Sequence, residues 1–292
     1  MSLSTEKTHD VKLSDISARI KEAVSNSFTN DDGARKHLGC SILGKPCDRS
    51  IWYSFRWATV PNHSQRLLRI FDRGQREEDR MLDMLVRAGA EVSRVDPATG
   101  AQYRADLGVP HLGGSLDAIA VLPPSLTGWA VPVRVVVECK THGNSPFGQV
   151  SKKGVAAAYP AHYMQGMLYA YAHDIDYVLY MALNKNDETL YFELYAVDRV
   201  LAQRNVKRAR DIISGETPRI FARISTNPTS FACKFCDHGA VCHFGGQPRV
   251  SCRSCRHVKP TDASEWYCGK WNAVIPTKDD QLKACQAWEQ YD

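Results

Sequence analysis

The sequence predicts an α/β fold with a mixed central β-sheet flanked by helices, followed by a cysteine-rich metal module at the C-terminal end. Two observations support this prediction. Helical and strand-like hydrophobic periodicities follow one another as far as Gly215, and from Phe231 onward Gly, Pro, Cys and single aromatic residues replace them. A stretch of the second kind cannot build an apolar core of its own, so bound metal is expected to hold it together.

The individual elements follow from hydrophobic spacing and from residues that start or stop helices. Asp198 is an N-cap candidate, and Gly89 and Gly215 each follow a helical stretch, as helix-ending glycines do. The predicted helices cover residues 11–27, 63–88, 159–173 and 198–214, and the predicted strands cover residues 91–95, 114–121, 131–138, 177–183 and 189–197.

The composition is that of a soluble globular protein. Of the 292 residues, 43% are hydrophobic and 24% are charged. The net charge of +5 permits a polyanionic partner without requiring one. No apolar run approaches the roughly 20 residues that a transmembrane helix needs, and the polar residues 1–15 lack the apolar core of a signal peptide. We therefore expect a cytoplasmic protein with no membrane partner.

Charged residues follow a run of three valines in the segment VVVECKTH, residues 135–142. Residues two apart in a strand point to the same face, so Glu138 and Lys140 project together. Asp117 lies on the preceding apolar strand. If the two strands are neighbours, both carboxylates and the carbonyl of Cys139 form an oxygen site that suits Mg²⁺ or Mn²⁺. A lysine there can orient a water or help to deprotonate it for attack on a phosphodiester. Alternatively, Glu138 and Lys140 are a strand-end ion pair and Asp117 caps a turn.

Asp117 followed by Glu138, Cys139 and Lys140 resembles the signature of the PD-(D/E)xK nucleases, with Leu116 at the position of the proline. This resemblance implies a restriction-endonuclease-like core. It also implies that Asp117, Glu138 and Lys140 are catalytic, with Asp117, Glu138 and the carbonyl of Cys139 binding the metal ion.

Two further motifs resemble those of RecB-like exonucleases, including the CRISPR-associated and phage-type recombination nucleases. Gly74 followed four residues later by Glu78 is similar to the Gly-x-x-x-His/Glu helix motif, which makes Glu78 an additional metal ligand and Glu77 the less favoured choice. Gln165 and Tyr169 are similar to the Gln-x-x-x-Tyr motif. Residues four apart share a helix face, so both can reach the active site and position DNA.

The resemblance implies a metal-dependent DNA exonuclease that leaves 5′-phosphates, with a role in recombination, repair or replication. The sequence holds no Gly-x4-Gly-Lys-Ser/Thr loop, so any unwinding would need a separate helicase, and a single-strand annealing or recombination protein is a further possible partner. Two alternatives stay open: a structure-specific endonuclease on the same fold, and a non-catalytic DNA-binding metalloprotein whose acidic cluster is structural.

Seven of the ten cysteines fall within the last sixty residues, and clustered cysteines in a cytoplasmic chain indicate metal binding. Cys233, Cys236 and Cys242 form a C-x2-C-x5-C triplet. Together with the distant Cys47, the triplet resembles the iron–sulfur staple of RecB-like nucleases, which implies a structural [4Fe–4S] cluster. Cys40 is an alternative to Cys47.

Alternatively, the triplet is part of a zinc site. Three thiolates with His238 or His243 would satisfy four-coordinate Zn²⁺.

The remaining C-terminal cysteines predict a separate zinc-binding module in residues 246–292, after a nuclease domain in residues 1–245. This tail is too short to fold by apolar burial alone, and His257 is a possible substitute ligand. Three interleaved basic residues could contact phosphates; they are Arg253, Arg256 and Lys259. The predicted zinc ligands are Cys252, Cys255, Cys268 and Cys285.

Overall fold

The structure, a computed structural model, describes residues 13–30 and 33–291. The polar start of the chain and the first two residues of the predicted helix 11–27 lie outside the described residues.

The helices are α1 (Leu13–Asn26), α2 (Asp48–Phe55), α3 (Gln65–Arg87), α4 (Pro124–Thr127), α5 (Asn144–Lys153), α6 (Val155–Ala158), α7 (Pro160–Ala172), α8 (Arg199–Ser214), α9 (Phe231–Lys234), α10 (Gly239–Phe244) and α11 (Lys278–Leu282). The strands are β1 (Leu38–Gly39), β2 (Glu91–Ser93), β3 (Arg104–Ala105), β4 (Leu112–Ser115), β5 (Ala118–Leu122), β6 (Val133–His142), β7 (Tyr177–Asn184), β8 (Leu190–Ala196), β9 (Val258–Pro260), β10 (Trp266–Cys268) and β11 (Ala273–Ile275).

A mixed five-stranded sheet forms the centre of the fold, in the strand order β2-β5-β6-β7-β8. Strands β6 and β7 are parallel, and the other neighbouring pairs are antiparallel. A parallel pair needs a crossover connection, which α5, α6 and α7 supply. Helices α3 and α7 pack against opposite faces of β6. The predicted α/β class, with a mixed central sheet flanked by helices, is confirmed.

Strand β6 is buried on both faces, as its apolar run predicts. On one face Val135 and Val137 pack in a cluster with the leucines and methionine of α3, and on the other Val136 packs with α7. Each buried valine stabilises the fold by about 1.5–3 kcal/mol relative to an exposed one. This apolar surround helps to offset the cost of the charged residues that follow in the same strand.

Two of the differences from the predicted strands affect the position of the candidate site residues. The predicted strand 114–121 is two strands, β4 and β5, because Leu116 and Asp117 between them belong to neither strand. Strand β6 continues to His142 because it pairs with β7 along residues 135–142. Glu138 and Lys140 therefore lie within a strand, whereas the sequence placed them at its end.

The C-terminal residues form a small antiparallel sheet, β9-β10-β11, that packs on α2. The ring of Trp266 lies 5.0 Å from that of Phe55, and the ring of Tyr291 lies 4.7 Å from that of Trp52. Because these rings belong to one hydrophobic cluster, the two sides of the predicted 245/246 boundary share a core. The division into two domains stays a prediction. None of the described helices is long and apolar enough to cross a membrane.

Candidate active site

One large cavity collects most of the predicted active-site residues. We call it the cleft; its volume is about 930 Å³. Six of the predicted residues line it, and they come from α3, the β4–β5 junction, β6 and α7. They are Glu78, Asp117, Cys139, Lys140, Gln165 and Tyr169.

Asp117 occupies the point where the ladder between β5 and β6 ends. The last backbone pair is Ala118 with Val137, so the N–H of Cys139 has no strand partner on that side. A side-chain oxygen of Asp117 accepts this N–H at 2.8 Å. The carboxylate thus replaces the missing strand partner of this N–H while it lines the cleft.

Glu138 and Lys140 share a face of β6, as their spacing predicts, and form an ion pair. The Lys140 ammonium also donates to the carbonyl oxygen of Cys139 at 3.2 Å. The Glu138 side chain is 0% exposed, and its Oε2 atom has no hydrogen-bond partner within the described part of the chain. A fully buried carboxylate oxygen without a donor is costly, and it fits a ligand that the protein atoms do not supply.

The carboxyl groups of the site hold their protons more tightly than usual. Burial, and next the charge of Asp117, raise the pKa of Glu78 to about 7. Burial raises the pKa of Asp117. For Glu138, burial raises the pKa by more than the Lys140 ammonium lowers it. A bound cation would relieve this crowding, because opposite charge favours the ionised carboxylates.

The carboxylates around Lys140 favour its ammonium form. Burial by itself lowers its pKa, but the charges of Glu138 and Asp117 outweigh that effect and raise the pKa. An ammonium can orient a water molecule or stabilise negative charge, but it cannot accept a proton. Of the two roles predicted for Lys140, the orienting role fits this state.

The oxygen donors of the site have the chemistry that a hard divalent cation prefers. Among the described residues, no group of three or more His, Cys, Asp or Glu side chains is placed so that it could hold a metal ion as it stands. Side chains would therefore have to rearrange around an ion. Glu78 faces the cleft, whereas its neighbour Glu77 forms ion pairs with Arg73 and Arg80. The geometry favours Glu78 over Glu77.

Gln165 and Tyr169 lie on the α7 side of the cleft. The Gln165 side-chain amide donates to the Tyr169 hydroxyl at 3.3 Å. The Tyr169 ring lies directly on the backbone of Gly114, where a Cβ would be 2.6 Å from the hydroxyl oxygen. A glycine is therefore required at position 114. Burial, and next the charge of Glu138, raise the pKa of Tyr169, so its hydroxyl stays a neutral donor.

Sequence reasoning missed the basic side of the cleft. The basic segment, residues 35–37, lines the cleft together with Arg104. The tripeptide Arg-Lys-His was a visible signal, but nothing in the sequence placed it near the carboxylates. A second stretch rich in basic residues, residues 199–210, lies within α8. There Arg199 and Arg208 form ion pairs with acidic residues outside the cleft.

The four cysteines predicted to bind iron and sulfur line one cavity of about 490 Å³, the first thiol cavity. Its N-terminal member, Cys47, stands at the residue before α2, and its other members come from the α9–α10 region. The alternative ligand Cys40 is fully buried in the hydrophobic core instead. The four are Cys47, Cys233, Cys236 and Cys242.

His238 is not free to complete a zinc site with the triplet. Its Nε2 atom lies 2.8 Å from the Ser54 hydroxyl, and its Nδ1 atom lies 2.9 Å from the Thr59 hydroxyl. Burial lowers the pKa of His238 to about 4, so the ring is neutral and hydrogen-bonded on both sides. His243 lines the first thiol cavity and stays an open alternative.

The four cysteines predicted to bind zinc line a second cavity, of about 140 Å³, together with His257. Burial, and then the three neighbouring thiols, raise the pKa of Cys252 to about 11. The indole N–H of Trp271 lies 3.4 Å from the Cys285 sulfur, and this contact lowers the pKa of Cys285. The residues of this second thiol cavity are Cys252, Cys255, Cys268 and Cys285.

One expectation about the basic residues of this module is wrong. Arg253 is 1% exposed and donates to backbone carbonyls, so it cannot contact a phosphate where it stands. The rings of Trp57 and Trp266 enclose its guanidinium instead. Arg256 and Lys259 are exposed, and phosphate contact by them stays a prediction.

No family model matches the sequence, and no curated protein matches it. Solved structures do show similarity. The alkaline exonuclease LHK-Exo from Laribacter hongkongensis is similar over 61% of this chain and 87% of that chain, with a TM-score of 0.44 and 11% identity. LHK-Exo in complex with dAMP is similar over 66% and 90%, with a TM-score of 0.42 and 10% identity. SSO0001 is similar over 80% and 98%, with a TM-score of 0.38 and 14% identity. With scores this low, the function has to be inferred from the chain's own residues.

Proposed function

We propose that the protein is a metal-dependent nuclease that hydrolyses phosphodiester bonds of DNA from strand ends. The observation that supports it best is the buried carboxylate of Glu138, which has one oxygen without a donor. Glu138 itself does not line the cleft, but Asp117 and Lys140 lie beside it and line the cleft together with the basic segment. Carboxylates that can hold a cation and cations that can hold phosphates are the two requirements of phosphodiester hydrolysis.

Each residue has a role in this proposal. Glu78, Asp117, Glu138 and the carbonyl of Cys139 would hold Mg²⁺ or Mn²⁺, and a bound ion of this kind would supply an activated water and neutralise charge on the phosphate. Lys140 orients the water and stabilises the negative charge that develops on the phosphate oxygens.

In this proposal, residues that line the cleft bind the DNA strand. Gln165 and Tyr169 offer an amide and a neutral hydroxyl as hydrogen-bond donors. Arg35, Lys36 and Arg104 offer positive charge to the phosphates. Action from strand ends is what the motif resemblance implies, as is a 5′-phosphate on the product. A separate helicase or recombination protein as partner stays a prediction.

The thiol cavities have a structural role in this proposal. A [4Fe–4S] cluster at the first thiol cavity would join the start of α2 to the α9–α10 region, and Zn²⁺ at the second would hold the C-terminal strands together. Four thiols line each cavity, and thiols are the donors that either metal prefers. Among the described residues they are not placed to hold an ion as they stand, so they would have to move together around it. Zn²⁺ at the first thiol cavity is the alternative.

The test compares two DNA substrates with Mg²⁺, with Mn²⁺ and with a chelator. One is linear and labelled at a single end, and the other is a covalently closed circle. Metal-dependent trimming of the linear DNA with no cutting of the circle is the expected result. Cutting of the circle would establish the endonuclease alternative. Tight DNA binding without cleavage under either metal would favour the non-catalytic binding protein.

A further inference from the structure

Arg253, in the C-terminal region, holds the backbone of the basic segment. Its guanidinium donates from one terminal nitrogen to the carbonyl of Arg35 at 3.1 Å and from the other to the carbonyl of Lys36 at 2.9 Å. The Nε atom donates to the Gln281 side-chain oxygen at 2.9 Å. All three nitrogens thus have an acceptor. The planar fork of arginine makes two parallel contacts of this kind in a way that lysine cannot.

Aromatic rings enclose this guanidinium. It lies 3.7 Å from the ring centroid of Trp57 and 4.4 Å from that of Trp266, which are favourable cation–π distances. The indole N–H of Trp57 donates to the same Arg35 carbonyl at 2.9 Å. Trp57 also has a φ of 53°, a left-handed conformation that a bulky residue keeps only when its surroundings impose it. Two buried side chains therefore converge on one carbonyl of the basic segment.

At its C-terminal end, the basic segment continues into β1, which pairs with β4 close to the candidate active site. The N–H of Leu38 donates to the carbonyl of His111 at 2.7 Å, and β1 pairs in parallel with β4. Strand β4 ends at Ser115, two residues before Asp117. The position of the basic segment is therefore set from the core on one side and from the active-site strands on the other.

The side chains of this segment are available to a ligand. Arg35, Lys36 and Arg104 are exposed and line the cleft. In the part of the chain that the structure describes, none of the three forms an ion pair. Unpaired cations along a cleft are suited to contact phosphate oxygens, which fix the position of a strand without reading its bases.

We propose that Arg253 is a positioning residue for nucleic acid: by holding the carbonyls of Arg35 and Lys36, it sets the basic segment where that segment contacts the phosphates of a DNA strand lying in the cleft. The C-terminal cysteine-rich region then contributes to substrate binding without touching the substrate. This inference rests on the proposed function for the identity of the ligand, but its tests do not need cleavage.

Arg56 provides a matched control. It is 2% exposed, its guanidinium lies 5.3 Å from the ring centroid of Trp266, and it donates to the carbonyls of Cys255 and Val258. It therefore ties the same C-terminal region to α2, and these hydrogen bonds do not involve residues 35–37. Replacing either arginine with methionine removes a buried charge and its hydrogen bonds, and only Arg253→Met also releases the basic segment.

The first measurement is the affinity for a fluorescent DNA oligonucleotide at several salt concentrations, with a chelator present so that no cleavage occurs. For Arg253→Met we expect binding about tenfold weaker and a log–log salt slope smaller by about 1 or more, the effect of losing at least one phosphate contact. Arg56→Met should bind as the wild type does. A folded Arg253→Met protein with wild-type affinity and slope would overturn the proposal.

The second measurement is limited trypsin digestion, since the bonds after Arg35 and Lys36 are trypsin sites. Cleavage there, mapped by mass spectrometry, should be faster in Arg253→Met than in the wild type or in Arg56→Met. Equal rates at these two bonds in all three proteins would mean that Arg253 does not hold the segment.

A surface variant keeps the proposal testable if Arg253→Met does not fold. The Arg35→Ala, Lys36→Ala double variant removes exposed charges and leaves the backbone carbonyls in place, so it should fold and show the same loss of affinity and salt slope. Arg87→Ala, at the far end of α3, is its control. Wild-type binding by the double variant would overturn the proposal even if the nuclease activity stands.

Two outcomes with the wild-type protein separate this inference from the proposed function. A wild type that binds DNA through these residues but never cleaves it would overturn only the proposed function. A wild type that binds no DNA would overturn both.

Discussion

The backbone N–H of Cys139 donates to the carboxylate of Asp117 at 2.8 Å. This single hydrogen bond joins the start of β5 to the second half of β6, where their backbone ladder has already ended. It brings Asp117 next to Glu138 and Lys140, which occupy the other face of the same strand. The relative position of the two carboxylates is thus a property of the sheet and not of a mobile loop.

Replacing Asp117 should separate its structural role from its chemical one. Asp117→Ala leaves the Cys139 N–H without an acceptor and should reduce the free energy of unfolding by about 1–3 kcal/mol. Asp117→Asn keeps an oxygen that can accept this N–H and should lose less than half of that. Both variants should lose nuclease activity because both lack the charge. Urea unfolding measures the difference, and equal stability of the two variants would contradict the structural role.

The affinity for divalent metal should rise with pH. The pKa of Glu78 is raised to about 7, and only the ionised carboxylate binds a cation, so protons compete with the metal below that pH. We expect tighter Mn²⁺ binding at pH 8 than at pH 6 and release of protons on binding. Titration calorimetry in two buffers of different ionisation enthalpy measures both. Glu78→Gln should weaken the pH dependence, and an unchanged dependence would remove Glu78 from the ligand set.

The stability of the metal-free protein should depend on pH in the opposite direction. Burial raises the pKa values of Glu78 and Glu138 above the ordinary glutamate value of 4.5, so the folded state binds these protons more tightly than the unfolded state does. The resulting stabilisation is complete below about pH 4.5 and is lost as the pH rises through the folded-state values, which for Glu78 is about 7. Glu138→Gln should flatten this decline in chelator-treated protein. Urea midpoints at several pH values give the measurement, and an equally steep decline in the variant would contradict the assignment.

Gly114 should not tolerate a side chain. A Cβ there would lie 2.6 Å from the Tyr169 hydroxyl oxygen, so Gly114→Ala should cost about 1–3 kcal/mol and displace the ring. The same substitution in a Tyr169→Ala background should cost much less, because the clash is gone. A double-mutant cycle on unfolding free energies checks this, and simple additivity would show that the two residues are not coupled.

The metal content of cysteine variants should show which cysteines bind the proposed iron–sulfur cluster. Replacing Cys47 or Cys242 with serine should lower the iron content of the purified protein, because both line the first thiol cavity. Cys40→Ala is the control, since Cys40 is buried in the apolar core. Elemental analysis measures the result. Zinc in place of iron at full occupancy would favour the alternative metal, and iron loss in Cys40→Ala with retention in Cys47→Ser would reverse the ligand assignment.

Local pattern predicted much of the sheet and part of the site. The alternation of side chains in β6 put Glu138 and Lys140 on one face, and helical spacing put Gln165 beside Tyr169. Such local patterns do not predict contacts between residues that are far apart in the sequence. Neither the hydrogen bond from Cys139 to Asp117 nor the approach of residues 35–37 to the cleft leaves a local signature, because both depend on how strands pair. The buried position of Arg253 was missed for the same reason: its two carbonyl acceptors lie more than 200 residues away in the chain.

The central claim is that the buried carboxylate of Glu138 acts in metal-dependent cleavage of DNA. Cleavage of end-labelled linear DNA with Mg²⁺ or Mn²⁺, compared between the wild type and Glu138→Gln, tests it most directly. Glutamine keeps the size of the side chain and removes its charge, and Arg87→Ala serves as the control for purification. We expect a loss of about 100-fold or more in Glu138→Gln at unchanged folding, because charge stabilisation by a held metal is worth several kcal/mol. Cleavage at the wild-type rate by the folded variant would contradict it.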